Sequence, residues 1–221
     1  MKFNRGLSMS LISLSFIMIC GILIVNCSDD DIVSSPEVTR YILPLKVGNQ
    51  WWGTLMNYDS AGTPTDTIPI VYRIIGDTVF QNETWYKWEL EYNGSILTDS
   101  TNSPLMTNRN DGVYQWIKDS SDASIWYQYP AAVADTFMSL YLKPDSASKA
   151  TVISIDTAIN VPSGEYVCYH YNIENTYNIF DAEMLLAPNI GFVRWESNND
   201  TTSAGQKFMT ERYELDSLFL H

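Results

Sequence analysis

The stretch Trp85-Tyr86-Lys87-Trp88-Glu89-Leu90-Glu91-Tyr92-Asn93-Gly94 decides the fold class of this chain. Apolar and aromatic residues alternate in it with charged residues. Because successive side chains of a strand point to opposite faces, this pattern gives one buried face and one solvated face. The Asn-Gly pair that follows favours the positive φ angles of a tight hairpin turn. The stretch therefore predicts an antiparallel strand that ends in a hairpin.

Short alternating runs separated by turn residues continue along most of the chain, and only 131–136 could form a turn of helix. The further predicted strands are Gln50 to Tyr58, Ile68 to Ile75, Val113 to Ile117, Ile125 to Tyr129, Phe137 to Leu142, Ala150 to Asp156, Tyr166 to Ile173, Ile179 to Leu186, Gly191 to Ser197 and Lys207 to Leu215. Together they predict an all-β, antiparallel meander of about a dozen strands. Strongly twisted sheets rarely stay open beyond about ten strands, so we expect a curved sheet, a half-barrel or an open barrel.

The first 31 residues have a different character. Lys2 and Arg5 precede an apolar run over 7–25, and Cys27 is followed directly by Ser28-Asp29-Asp30-Asp31. This order resembles a bacterial lipoprotein signal. A retained transmembrane helix and a plain secretory signal are the alternatives, since the run is just long enough to span a bilayer. Cys27 fits the pattern better than Cys20, which follows a large branched residue.

The resemblance to a lipoprotein signal implies a diacylglycerol thioether on Cys27 and cleavage just before it. Residues 1–26 are then the signal peptide, 27–36 the acylated cysteine and acidic tether, and 37–221 a single β domain. Ser28 and the acidic residues Asp29, Asp30 and Asp31 form either a solvated spacer or an export tag for the outer face of the outer membrane. We therefore expect an outer-membrane lipoprotein of the cell envelope, either surface-exposed or facing the periplasm.

Composition limits the partners. The chain has 13 Lys and Arg against 26 Asp and Glu, a formal net charge of −13. Such a chain should repel nucleic acid and anionic membrane surfaces, so membrane contact is expected only through the lipid anchor. Once Cys20 is removed and Cys27 is acylated, Cys168 is the remaining free thiol. An internal disulfide and a cysteine-rich metal site are then excluded.

Five segments in order along the chain resemble a broad group of uncharacterised bacterial envelope lipoproteins. They are Tyr41 to Trp51, Asp111 to Tyr114, Val161 to Cys168, Leu186 to Arg194 and Glu214-Leu215. The resemblance implies a curved antiparallel sheet similar to the half-barrel of lipoprotein carriers. It implies no shared activity, because the recurring residues are turn and core types.

Candidate catalytic groups have simpler structural explanations. Cys168 and His170 share one face of a predicted strand, but the alternation with Val167, Tyr169 and Tyr171 suggests a packed thiol beside a surface histidine. The pairs Glu89 with Glu91 and Asp181 with Glu183 alternate with core residues and are expected on solvated faces. We therefore expect no catalytic residue, no metal site and no cofactor.

Aromatic residues are the remaining candidates for a binding site. Trp51, Trp52, Trp126 and Trp195 could line an apolar cavity or stack on sugars, although core packing is the commoner role for such residues. We expect a non-catalytic, lipid-anchored protein that binds an apolar ligand or a protein partner through its curved sheet. The alternative is a surface glycan-binding accessory lipoprotein that uses exposed Trp and Tyr.

Overall fold

The computed structural model describes residues 41–97, 104–116, 122–139, 148–175, 181–198, 200–202, 205 and 207–221. Within these ranges the chain forms strands and turns but no helix. The strands are β1 (Gln50–Tyr58), β2 (Pro64–Phe80), β3 (Glu83–Tyr92), β4 (Ser95–Ile96), β5 (Leu105–Arg109), β6 (Gly112–Trp116), β7 (Ser124–Gln128), β8 (Thr136–Ser139), β9 (Ser148–Val161), β10 (Gly164–Asn175), β11 (Asp181–Ala187), β12 (Gly191–Asn198), β13 (Asp200–Thr201), β14 (Lys207–Phe208) and β15 (Glu211–Phe219). The all-β prediction is confirmed.

One antiparallel sheet contains nearly all of the strands. Its order is β7-β6-β5-β3-β2-β1-β15-β12-β11-β10-β9-β8, with β4 added beside β3, and β13 and β14 form a separate ribbon. The path consists of two meanders, β1 to β7 and β8 to β12, and the last strand β15 joins them by pairing with both β1 and β12. The predicted meander is thus confirmed within each half, whereas β15 makes a long-range connection.

The two ends of this path come together. Ser139 in β8 donates a hydrogen bond from Oγ to the carbonyl oxygen of Trp126 in β7, over 3.1 Å. The Tyr171 hydroxyl in β10 donates to the carbonyl oxygen of Gln128 over 2.8 Å. The sheet is therefore a nearly closed barrel, which is a tighter form of the predicted curved sheet.

Individual strand limits differ from the predicted limits at bulges. β1 has the predicted bounds, and the hairpin turn after β3 has the predicted positive φ angles, 48° at Asn93 and 75° at Gly94. β2 continues through Gly76, where a strand end was expected, because the register with β3 shifts between Ile74 and Gly76. A bulge of this kind absorbs the glycine without ending the strand. Segment 131–136 forms a turn, in which Asp135 N donates to the carbonyl oxygen of Ala132 over 3.1 Å.

Residues 41–49, which we call the end segment, pack against one end of the barrel. Asn49 is 1% exposed and donates from Nδ2 to the carbonyl oxygen of Pro44 over 2.8 Å. Its Oδ1 accepts a hydrogen bond from the backbone N–H of His221 over 2.9 Å. Ile74 in β2 donates to the Asn49 carbonyl oxygen over 3.0 Å. One buried side chain therefore links the end segment to the last residue of the chain.

Candidate binding site on the inner face of the sheet

The four candidate tryptophans divide between the two faces of the sheet. Trp51 is fully buried on the inner face, and its indole N–H donates to the carbonyl oxygen of Ile190 over 2.6 Å. Trp126 is 8% exposed and Trp195 is half-buried, and both also contact inner-face rings. Trp52 follows Trp51 in β1 and therefore points to the outer face, where it is half-buried. The structure thus brings Trp51, Trp126 and Trp195 into one interior and leaves Trp52 outside it.

Rings from six strands form one group, which we call the inner aromatic cluster. Its members are Trp51, Tyr72, Trp88, Trp126, Phe192, Trp195 and Tyr213. Trp88 lies at its centre, with ring centroids 5.0 Å from Tyr72, 5.7 Å from Trp51 and 5.8 Å from Phe192. These separations are those of favourable aromatic contacts, so the cluster ties the two meanders together across the barrel.

Polar atoms collect at one side of this cluster. Trp195 stacks on Tyr213 with centroids 6.0 Å apart and planes at 10°, and Tyr72 meets Tyr213 edge-on at 5.6 Å. The Trp195 indole N–H donates a hydrogen bond to the Tyr72 hydroxyl. The Tyr213 hydroxyl is enclosed and has no hydrogen-bond partner among the described residues. Two phenol groups and one indole N–H therefore lie together at this side of the interior.

Burial controls the titration of both tyrosines. Loss of hydration raises the pKa of Tyr72 to about 12, against the opposing effect of the Trp195 hydrogen bond. The same cause, together with the nearby Tyr72 and Asp216, raises the pKa of Tyr213 well above its usual range. The Tyr72 ring is nevertheless half-buried, although its hydroxyl is enclosed. Both hydroxyls are thus neutral hydrogen-bonding groups at physiological pH, and part of the Tyr72 ring stays accessible.

Gly53 makes room for the Tyr213 ring. This residue lies on the inner face of β1, and a Cβ atom added to it would overlap the Tyr213 ring and the carbonyl oxygen of Glu214. The absence of a side chain lets the ring lean across β1 toward Tyr72. The position of the Tyr213 hydroxyl therefore depends on a glycine in the neighbouring strand.

Strand register defines two adjacent rows on the inner face. The apolar row contains Ile68, Leu55, Tyr213, Trp195 and Met184, which are direct neighbours across β2, β1, β15, β12 and β11. A second row lies two residues away from the apolar row on each strand, and we call it the mouth row. It contains Asp66, Asn57, Glu211, Ser197 and Ala182. Ser197 Oγ donates to Glu211 Oε2 over 3.1 Å and holds this carboxylate in place. The polar mouth row therefore borders the apolar row.

Cys168 and His170 differ in burial and in their surroundings. Cys168 is fully buried, and burial raises the pKa of its thiol to about 12, which is unsuited to a nucleophile. His170 Nε2 lies 3.2 Å from Glu183 Oε2 near the surface. The expected alternation was wrong at Val167, which is 59% exposed, whereas Cys168 beside it is fully buried.

The paired carboxylates are engaged in ion pairs on the outer face. Arg73 Nη1 lies 3.1 Å from Glu89 Oε1, and Arg73 Nη2 lies 2.6 Å from Glu91 Oε2. Asp181 pairs with Lys207 and Glu183 with His170. Within the described part of the chain, no three His, Cys, Asp or Glu residues are grouped to hold a metal ion. These carboxylates therefore have structural partners.

Sequence reasoning missed an aromatic group on the outer face, which we call the outer aromatic cluster. It comprises Phe80, Trp85, Tyr114 and Trp116 together with Arg109. Trp116 meets Phe80 at 5.0 Å and Trp85 at 6.0 Å, and Phe80 is 41% exposed. The Arg109 guanidinium lies 4.2 Å from the Tyr114 ring centroid and also pairs with Glu83. The sequence did contain a signal for this cluster: by alternation, Trp85 lies on the same strand face as the charged residues Lys87 and Glu89.

The anchor residues Cys27, Ser28, Asp29, Asp30 and Asp31 lie outside the described residues, so their roles stay predictions. Within the described ranges, no helix is long and apolar enough to cross a membrane.

The fold and its inner site define an all-antiparallel, nearly closed β protein with an aromatic interior. No family model matches the chain, and no curated protein matches it. A crystal structure of a Bacteroides fragilis NCTC 9343 protein, described as exported and with a YmcC-like fold, is similar at a TM-score of 0.51 and 16% identity. The match covers 82% of this chain and 100% of that one. This similarity supports the fold.

A second crystal structure, of a protein from Parabacteroides distasonis ATCC 8503 described as a lipoprotein, matches at a TM-score of 0.40 and 11% identity. This match covers 81% of the present chain and 99% of that one.

Proposed function

We propose that this chain is a non-catalytic, lipid-anchored protein of the cell envelope that binds an apolar ligand on the inner face of its sheet. The observation that carries the binding proposal is the polar side of the inner aromatic cluster. There Tyr72 and Trp195 remain partly accessible, and the enclosed Tyr213 hydroxyl has no hydrogen-bond partner among the described residues. Concave, mostly apolar sites with a few fixed polar groups are the usual form of a small-molecule site.

The location rests on the first residues of the chain. The basic start, apolar run and Cys27 resemble a lipoprotein signal, and Ser28 to Asp31 supply an acidic stretch that would suit either a spacer or an export tag. The Bacteroides fragilis protein of similar fold is described as exported, which agrees with a place in the envelope. We propose the outer membrane as the site of anchoring, with the domain on the cell surface or in the periplasm.

The absence of catalysis is part of the proposal. Two observations support it. The Cys168 thiol is buried and its pKa is raised, and Glu89 and Glu91 both form ion pairs with Arg73. The partners proposed are the membrane, through the anchor, and the apolar ligand.

Native mass spectrometry of the full chain, purified from its own membranes in mild detergent, tests ligand binding. Wild-type protein should carry a non-covalent species of low mass that collisional activation releases. Trp195→Ala should lose most of it, because this ring stacks on Tyr213 and binds Tyr72. Trp52→Ala is the matched control, since Trp52 is also half-buried but lies on the outer face. A wild-type protein without such a species, or equal loss in both variants, would overturn the proposal.

Glycan binding is a second candidate, which the outer aromatic cluster favours. Phe80 is 41% exposed and Trp116 is half-buried, and Arg109, which pairs with Glu83, lies over the neighbouring Trp85 ring. Rings beside polar side chains are suited to stacking on a sugar. Trp116→Ala should then abolish retention on immobilised envelope polysaccharide, and Trp195→Ala should not. Equal retention of both variants and wild type would remove this candidate.

A further inference from the structure

We propose that the inner site selects an amphiphile with a long apolar chain and an uncharged, hydrogen-bonding polar group, and that it rejects the anion of a fatty acid. The inference rests on the proposed function and goes further by naming the ligand class. It depends on three features: the Tyr213 hydroxyl, the apolar row and the charges of the mouth row.

The Tyr213 hydroxyl would be stabilised by a polar group of the ligand. Its side chain is fully buried, and its oxygen has no hydrogen-bond partner among the described residues, whereas the neighbouring Tyr72 hydroxyl accepts from Trp195. A buried hydroxyl without a partner is unfavourable, and a ligand hydroxyl or carbonyl oxygen would satisfy it. A purely apolar ligand would leave it unpaired, so the site discriminates in favour of a polar group.

The rest of the ligand would lie along the apolar row, whose members other than Trp195 are buried in this structure. Ile68, Leu55 and Met184 flank Tyr213 and Trp195 in register, and none of the five carries a charge. An alkyl chain against this row gains the hydrophobic contribution of each buried methylene. Trp195 and Tyr72, which are only half-buried, add aromatic contact area.

The charges around the site disfavour an anion. Asp66 and Glu211 lie in the mouth row. The arginines nearest in register, Arg73, Arg194 and Arg212, point to the outer face and are paired with glutamates. No Lys or Arg occupies either row. A carboxylate brought to Tyr213 would meet like charges in a poorly hydrated site, which repel it.

Photo-crosslinking of the full chain in native membranes tests the ligand class. The probes are a diazirine-bearing pentadecanol and the diazirine-bearing pentadecanoate of equal length, added at equal amounts at pH 7.5. Peptide mass spectrometry then measures labelling of the β12 and β15 peptides. We expect the alcohol to label them at least fivefold more than the carboxylate. Tyr213→Phe should reduce labelling by the alcohol about fivefold, which corresponds to one ordinary hydrogen bond.

Glu211→Gln provides the complementary variant. Glutamine keeps an oxygen that can accept from Ser197 but removes the charge, so labelling by the carboxylate should rise severalfold. Glu174→Gln and Tyr58→Phe are matched controls, because Glu174 is exposed on β10 and Tyr58 lies on the outer face of β1. Both should label as wild type does.

The outcomes separate the two proposals. If the carboxylate labels the interior as well as the alcohol does, or Glu211→Gln leaves its labelling unchanged, the ligand class is wrong while apolar binding stands. An excess of unlabelled membrane lipid, added as a competitor, defines the background labelling. If neither probe labels β12 or β15 above this background, the proposed function itself fails.

Discussion

At the residue scale, two kinds of position are informative. At one kind the burial of a side chain departs from the expected alternation, and at the other a buried polar atom has no hydrogen-bond partner among the described residues. Gly53 leaves room for the Tyr213 ring to lie beside Tyr72. The Tyr213 hydroxyl has no hydrogen-bond partner among the described residues. Cys168 is fully buried, whereas Val167 beside it is 59% exposed. Neither result follows from residue type, because both depend on which strand lies opposite.

The anchor can be tested at single cysteines. Cys27→Ala should abolish metabolic incorporation of labelled palmitate into the chain, because the proposed thioether forms on this sulfur. Cys20→Ala is the matched control and should incorporate label as wild type does. Scintillation counting or click detection after immunoprecipitation gives the readout. Loss of label in Cys20→Ala with retention in Cys27→Ala would assign the anchor to the other cysteine.

At the element scale, short segments determine how the barrel ends are closed. The end segment is joined to the C-terminus by the buried Asn49 side chain, and Ser139 joins β8 to β7. Such contacts involve residues far apart in sequence, so alternation within any one strand does not predict them.

Asn49→Ala tests the closure of the barrel end. The change leaves the Pro44 carbonyl oxygen and the His221 N–H without their partner in a buried place. We expect the free energy of unfolding to fall by about 2–3 kcal/mol, the sum of the lost bonds and the unpaired groups. Urea denaturation followed by tryptophan fluorescence measures it. Asn160→Ala, at an exposed position, should change stability by less than about 0.5 kcal/mol. Equal effects would show that Asn49 does not act as a link.

At the scale of the whole molecule, the interior is an aromatic assembly in which several strands share one set of rings. The inner aromatic cluster spans both meanders, and phenol groups within it are kept neutral by burial. Stability therefore depends on pH through groups that are not ionised in the folded protein.

Alkaline unfolding should reflect this burial. Tyrosines of the unfolded chain ionise near pH 10, whereas the pKa of folded Tyr72 is about 12 and that of Tyr213 is raised well above 10. Stability should therefore be unaffected below about pH 10 and fall as pH rises above it, by up to about 1.4 kcal/mol per pH unit for each such tyrosine. Denaturation curves between pH 9 and 12 measure this slope.

Tyr72→Phe should lower that slope by up to the contribution of one tyrosine. The stability of the same variant at pH 7 is the control, since it reports lost packing and the lost Trp195 hydrogen bond separately from titration. An unchanged slope above pH 10 would contradict the raised pKa of Tyr72.

The sequence by itself determined the fold class, the hairpin at Asn93-Gly94 and most strand positions, because period-two alternation and turn residues are local signals. It also pointed to Trp51, Trp126 and Trp195 without relating them to one another. Only the tertiary structure decided that β15 lies between β1 and β12, that the sheet nearly closes, and that Trp195, Tyr72 and Tyr213 share one polar corner. The reason is physical: register, bulges and strand order are set by contacts between distant segments, and a one-residue shift moves a side chain to the other face.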